Sequence, residues 1–372
     1  MRNRILLSLY LISIFLAGLY AFKKPYYNWD MVAYMAVVIG YDHPNPNYVH
    51  DTVYAIVKQQ IPGSIYSQLI DGGIEFRKRM AENPNEFYRQ MTFYAVKPLY
   101  TRFIYFIYKT GVPLIQATIL PSLIGYLLIG FLLIFWIKRY LEFSFAIAFC
   151  FLTMISAPMW DIARCSSPDC LSAFLLLSAI YFILEIKSLP FTFIFLVFSI
   201  LSRLDNVIPA VIFISLLTFS NKWKYKISIN KYFMMLLIIS ITCLCITLST
   251  RHFGWNVLYY PTFLKSLNLS YTFQPKFYVR GYIALAISQI MTGLFFSHFL
   301  LFMVLALLSF KGKSTSPFRN FDFEQLFLCT LIAIMIIRFI LQPVMSDRFY
   351  IAYYLAILIL LVKRLCGPVN IS

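Results

Sequence analysis

Acidic side chains are scarce here: 15 Asp and Glu stand against 32 Lys and Arg in 372 residues, and only 13% of positions are charged. An ordinary soluble domain, about a quarter charged, is thereby excluded. Histidine occurs four times, and no pair of His or Cys has the spacing of a zinc site. No internal repeat or low-complexity linker divides the chain, so a single membrane domain over 1–372 is expected, without an appended soluble domain. The seven cysteines are scattered, and Cys150, Cys243, Cys245, Cys329 and Cys366 fall in apolar runs or on the inner side. Only Cys165 and Cys170 lie near the outer face, where an oxidising compartment would let them pair across a helix start.

What is abundant is apolar surface. Hydrophobic residues make up 60% of the chain and aromatics 19%, with a mean hydropathy of +0.75. Several runs approach the roughly 20 residues that cross a bilayer. The expected fold class is an all-α polytopic membrane protein. About ten spans are expected, near 5–22, 114–136, 143–159, 170–186, 189–202, 206–220, 232–250, 290–310, 324–342 and 348–362. Arg2 and Arg4 before the first run resemble a signal peptide, but Leu19 and Tyr20 stand where cleavage wants small residues, so an uncleaved anchor is expected.

Short loops set the orientation. Lys138-Arg139, Lys187, Lys222/Lys224/Lys226, Lys311/Lys313/Arg319 and Lys363-Arg364 fall on one side. By the positive-inside rule that side, with both termini, is cytoplasmic, as in a bacterial inner membrane. The formal net charge of +17 is spread over loops on both faces. It fits attraction to anionic membrane lipids, and nucleic acid is not an expected partner.

Two outer segments stand out. The first, 23–113, alternates expected amphipathic helices at 31–40, 51–60, 64–80 and 86–109 with turn signals such as Pro62-Gly63 and Asn83-Pro84-Asn85. Its many aromatics suit helices lying in the interface. The second, 251–289, carries Trp255, Tyr259, Tyr260 and Tyr271 and reads as a further interfacial segment.

Polar groups gather at the outer ends of the spans. They are Asn28-Trp29-Asp30, Asp161 with Arg164, Ser167-Pro168-Asp169, Ser202-Arg203-Leu204-Asp205-Asn206 and Ser346-Asp347-Arg348. Each has a plain structural alternative. Asp169 after Pro168 suits a helix start, Asp205-Asn206 would cap the sixth span, and Arg203 would snorkel to headgroups. Arg348 beside Asp347 reads equally as a local ion pair. Arg338, inside the run Ile334–Leu341, is placed for a lipid phosphate about a turn below the surface. Asp30 has the weakest structural explanation: Trp29 and Tyr34 would hold it at headgroup depth, where a carboxylate becomes a usable base.

A span, an Asp in the first outer loop, interfacial helices and a run of hydrophobic hairpins resemble the GT-C superfamily of glycosyltransferases, which includes protein O-mannosyltransferases and lipid A aminoarabinose transferases. Ser167-Pro168-Asp169 and Ser202-Arg203-Leu204-Asp205-Asn206 are similar to phrases in bacterial members. The chain departs from the commonest pattern by carrying Trp29-Asp30 where an Asp-Glu pair often stands, which leaves the cofactor unspecified, a divalent metal included. The resemblance implies a sugar donor on a polyprenyl phosphate or diphosphate, an inverting reaction, and Asp30 as the base. It further implies that Arg203, Arg338 and Arg348 hold the phosphate, with Lys97 and Arg102 behind them. Asp169, Asp205, Arg164 and Tyr34 complete the expected substrate-binding set. Two rivals share the membrane form: an O-antigen-type polysaccharide polymerase, and a transporter or flippase for a lipid-linked glycan.

Overall fold

The computed structural model describes residues 1–220, 227–250, 279–308 and 322–367. The lysines expected on the inner side at 222–226 and 311–313, Arg319, and most of the segment 251–289 lie outside them. The described residues are helical apart from loops and one isolated bridge, Tyr26 to Cys165.

Among the described residues, five helices are long and apolar enough to cross a membrane: α1 (Arg2–Lys23), α9 (Leu114–Ile137), α12 (Asp169–Tyr181, continued by a π-helical turn, Phe182–Ile186), α15 (Ile229–Thr250) and α18 (Phe323–Leu341). Two further candidates are bent pairs. Helices α10 (Phe143–Ile155) and α11 (Ala157–Arg164) meet at 56°, and α16 (Val279–Phe296) and α17 (Phe299–Leu308) at 79°. The total is therefore five, or seven with the bent pairs, against the ten expected. Helices α13 (Leu189–Ser202) and α14 (Val207–Phe219) fall short: fourteen residues reach only about 21 Å against a core of about 30 Å. The last helix, α19 (Ile351–Cys366), is two residues longer than α13.

Both bends interrupt segments whose apolarity predicts one straight span. In the first, Ser156 leaves helical geometry and Pro158 stands in the first turn of α11. In the second, the break at Ser297-His298 is held by Asp347, which accepts from Ser297 Oγ at 2.9 Å and from the His298 amide at 2.8 Å. His298 thus sits at a break rather than within a span.

The segment 23–113, expected on the outer face, is a packed layer of its own. It comprises α2 (Trp29–Gly40), α3 (Pro46–Gln60), α4 (Gly63–Ile70), α5 (Glu75–Glu82), α6 (Pro84–Gln90), α7 (Thr92–Ala95) and α8 (Pro98–Lys109). Gly72 and Gly73, both at positive φ, split the expected 64–80 helix, and Pro98 splits 86–109 by opening a new helix. Asn45 and Asn83 cap α3 and α6, so α3 begins ahead of the expected 51–60 helix. These helices wrap α2, with Tyr34, Val53, Phe87 and Tyr100 in a core continuous with the start of α9. A second core fills the bundle of longer helices.

Ion pairs mark the two ends of the bundle. At one, Glu185 of the π-helical turn accepts from Arg139 at 3.1 Å and from Lys363 at 3.0 Å, and Lys363 also reaches Glu324 at 2.8 Å. At the other lie Asp30, Asp169 and Asp205.

Candidate functional site

Asn28 begins the site. Its side chain accepts from the Met31 amide at 3.0 Å and caps α2. The preceding linker is pinned by Tyr26, whose amide donates to the Arg164 carbonyl, and by Arg164, whose Nε donates to the Lys24 carbonyl at 2.7 Å. Every residue from Trp29 to Ile39 is buried except Asp30. A helix apolar all round thus opens at one carboxylate. Tyr94 donates to Asp30 Oδ1, and Arg348 to Oδ2, each at 3.2 Å.

Arg348 is the first of three arginines alternating with three aspartates. Its Nε lies 3.7 Å from Asp169, Asp169 pairs with Arg203, Arg203 reaches Asp205 at 2.9 Å, and Asp205 pairs with Arg338. Arg338 ends the chain of charges, 3.5 Å from the Tyr353 hydroxyl. Asp169, Arg203 and Arg338 are only 3%, 9% and 5% exposed, so each charge depends on its neighbours to offset desolvation.

The groups expected from the sequence therefore converge, in roles the local motifs did not announce. Asp169 makes no side-chain cap; it is a buried counter-ion. Asn206 bonds Ser172 and the Ser199 carbonyl instead of capping α14. Arg203 and Arg338 face inward onto carboxylates rather than towards headgroups. Asp347 and Arg348 part company: Asp347 binds His298 Nδ1 at 2.7 Å, and Arg348 turns to Asp30. Lys97 donates to the Tyr34 hydroxyl at 2.6 Å and lies 5.0 Å from the Tyr34 and Tyr94 ring centres. Burial pushes its ammonium down to about 8, with Asp30 opposing. Two candidates stand apart: Arg102 is exposed and stacks on Tyr41 at 3.9 Å, and Arg164 serves the linker. Cys165 and Cys170 are both buried free thiols, so the expected disulfide is absent.

Alpha-helix α9 holds the loop before Asp169. Ser122 Oγ bonds the carbonyls of Cys165 and Ser167 at 2.7 and 2.8 Å, and Thr118 bonds Ser166 at 2.8 Å. Gly125 lets α12 approach closely: a Cβ there would stand 2.7 Å from the Leu171 nitrogen.

Asp30 and Arg348 also line a cavity of about 650 Å³, together with Trp29, Arg77, Asp161 and Asp347, a size usual for small-molecule sites. Trp29 is buried against Phe76 and Phe87, and its indole N–H has no hydrogen-bond partner. Arg77 is the residue the sequence concealed. It sits among Arg77-Lys78-Arg79, just past the turn at Gly72-Gly73, and lines the cavity. Its guanidinium donates to the Gln68 carbonyl at 2.6 Å. Among the described residues, no three His, Cys, Asp or Glu side chains form a metal-ligand group.

No family model matches the chain, and no curated protein or solved structure does either.

Proposed function

We propose that this chain is a membrane glycosyltransferase of the GT-C kind, moving a sugar from a polyprenyl-phosphate donor to a glycan, lipid or protein acceptor. The observation that carries this reading is Asp30, the one accessible side chain in an otherwise buried stretch, placed on a cavity wall beside Arg348 and Arg77. In the proposed step Asp30 takes the proton of an acceptor hydroxyl, whose oxygen attacks the anomeric carbon. The bond from that carbon to the phosphate oxygen breaks, and the phosphate leaves with the electron pair. Arg348 and Arg77 stabilise its charge. Donor binding would draw Arg348 off Asp30 Oδ2 and free that oxygen for the hydroxyl. Arg203, Asp169, Asp205 and Arg338 fix Arg348 from behind.

The proposal includes ten spans, α13, α14 and α19 among them, with both termini cytoplasmic and the Asp30 end on the outer face of a bacterial inner membrane. Alternation supports it: the ends of α9, α12, α18 and α19 meet at Glu185, and their other ends lie with the aspartates.

The test is transfer of a labelled sugar from polyprenyl-phosphate donors in membranes carrying the chain. Asp30→Asn should insert normally yet reduce transfer by about 10²-fold; undiminished transfer removes Asp30 as the base. Long chains as product, instead of one added sugar, would point to a polymerase. The two bent pairs favour transport as a second reading, since broken helices are common in transporters. Flux of a lipid-linked glycan into vesicles without sugar transfer would put transport first.

A further inference from the structure

At the Glu185 end, away from the aspartates, an apolar groove of about 590 Å³ opens over α9. Leu7 and Leu11 of α1 form one wall, Phe174, Phe182 and Phe195 the other, and Leu128 to Phe135 the floor. The π-helical turn shapes the second wall, because its first residue, Phe182, stacks on Phe191 and Phe195. Phe131 and Phe135 are half-exposed on a helix apolar enough to span a membrane, so lipid chains are the solvent that meets this groove.

Only two polar side chains besides the Tyr181 hydroxyl reach it. Ser178 is satisfied by the Phe174 carbonyl at 2.8 Å. Lys138, at the C-terminus of α9, is exposed and has no carboxylate partner among the described residues; its ammonium lies 4.8 Å from the Phe135 ring centre. Arg139, its neighbour, is already neutralised by Glu185. One uncompensated cation thus stands at the rim of a groove that is otherwise carbon. From Leu128 to Lys138 the groove runs ten residues of helix, about 15 Å, which is half of a 30 Å hydrocarbon core. That is the depth of one leaflet, and so of an acyl chain whose head lies beside Lys138.

We infer that this groove binds one chain of an anionic glycerophospholipid, with Lys138 at its phosphate. The site is separate from the aspartate cavity and does not depend on what that cavity does. A lysine at a helix C-terminus is also favourable to the helix dipole, but that role involves no preference between lipids.

The experiment is native mass spectrometry of the delipidated full-length protein in detergent, with phosphatidylglycerol or phosphatidylcholine added back. Wild type should retain phosphatidylglycerol about fivefold more strongly, the scale of one lysine beside an anionic head. Lys138→Ala should bring the two lipids level while both still bind. Lys187→Ala, which removes an exposed cation outside the groove, should leave the preference intact, and Leu128→Trp should lower retention of both lipids. Equal retention by wild type, or a preference that survives Lys138→Ala, overturns the inference. So does an equal loss in Lys187→Ala, which would mean diffuse surface attraction. Displacement of phosphatidylglycerol by equimolar polyprenyl phosphate would overturn the assignment to a glycerophospholipid.

Discussion

Asp30 and Arg348 lie 318 positions apart in the chain and meet at 3.2 Å on the wall of one cavity. The pair joins the accessible part of the site to its buried ions. If Arg348 takes the donor phosphate, Arg348→Lys keeps the charge but loses the forked geometry. We expect a donor KM raised roughly tenfold or more, the 1.5–3 kcal/mol scale of a charged hydrogen bond, in a protein that still folds. Arg77→Gln should raise the same KM and leave thermal unfolding unchanged. Unaltered donor kinetics in both variants would remove the two residues from the phosphate site.

Arg338 and Asp205 are predicted to govern stability rather than substrate affinity. Arg338→Met leaves a carboxylate buried beside Arg203 alone and should cost about 3–5 kcal/mol. Adding Asp205→Asn should recover part of that loss, because the orphaned charge goes with it. Unfolding of the two single variants and the double variant in detergent measures the coupling; additive losses would show that the pair is not coupled.

Lys97 gives a pH signature. Its ammonium has an ordinary value of 10.5 and is pushed down to about 8 in the fold. Between those values the unfolded chain binds the extra proton, so stability should rise with pH across that window. Below 8 the burial penalty is present in full, roughly 3 kcal/mol. Lys97→Met should remove this rise, and the difference in unfolding free energy between the two proteins from pH 7 to 10.5 checks it.

Sidedness is tested by a reporter inserted near Gly72. It should be active only outside the cytoplasm, and cytoplasmic activity would reverse the assignment of both faces.

How much of this was readable in the sequence depended on how local the cause was. The long apolar helices announced themselves by length and apolarity, and the turns before α3 and α6 by their Asn and Pro residues, whereas the capping roles of Asn45 and Asn83 did not. Asp30, Arg203 and Arg338 were conspicuous because charge is rare in this chain. Asp169 and Asp205 stood out too, but the pairings did not, since Asp169 meets Arg203 across 34 positions and Asp205 meets Arg338 across 133, distances that no local pattern encodes. Asp169 looked like a cap because Pro168 before it suits a helix start. The break at Ser297-His298 was hidden because its cause, Asp347, lies fifty positions away. Arg77 was hidden among like charges, and the packing of α2 by its apparent role as one amphipathic helix among several.

The single turn Asp347–Phe349 grips two parts of the molecule at once. Asp347 clasps the bend between α16 and α17, and the very next side chain holds the cavity carboxylate. One peptide unit separates the two grips, so they share a lever arm of about 4 Å. The contact that holds the bend and the contact that holds Asp30 therefore rest on one short stretch of backbone.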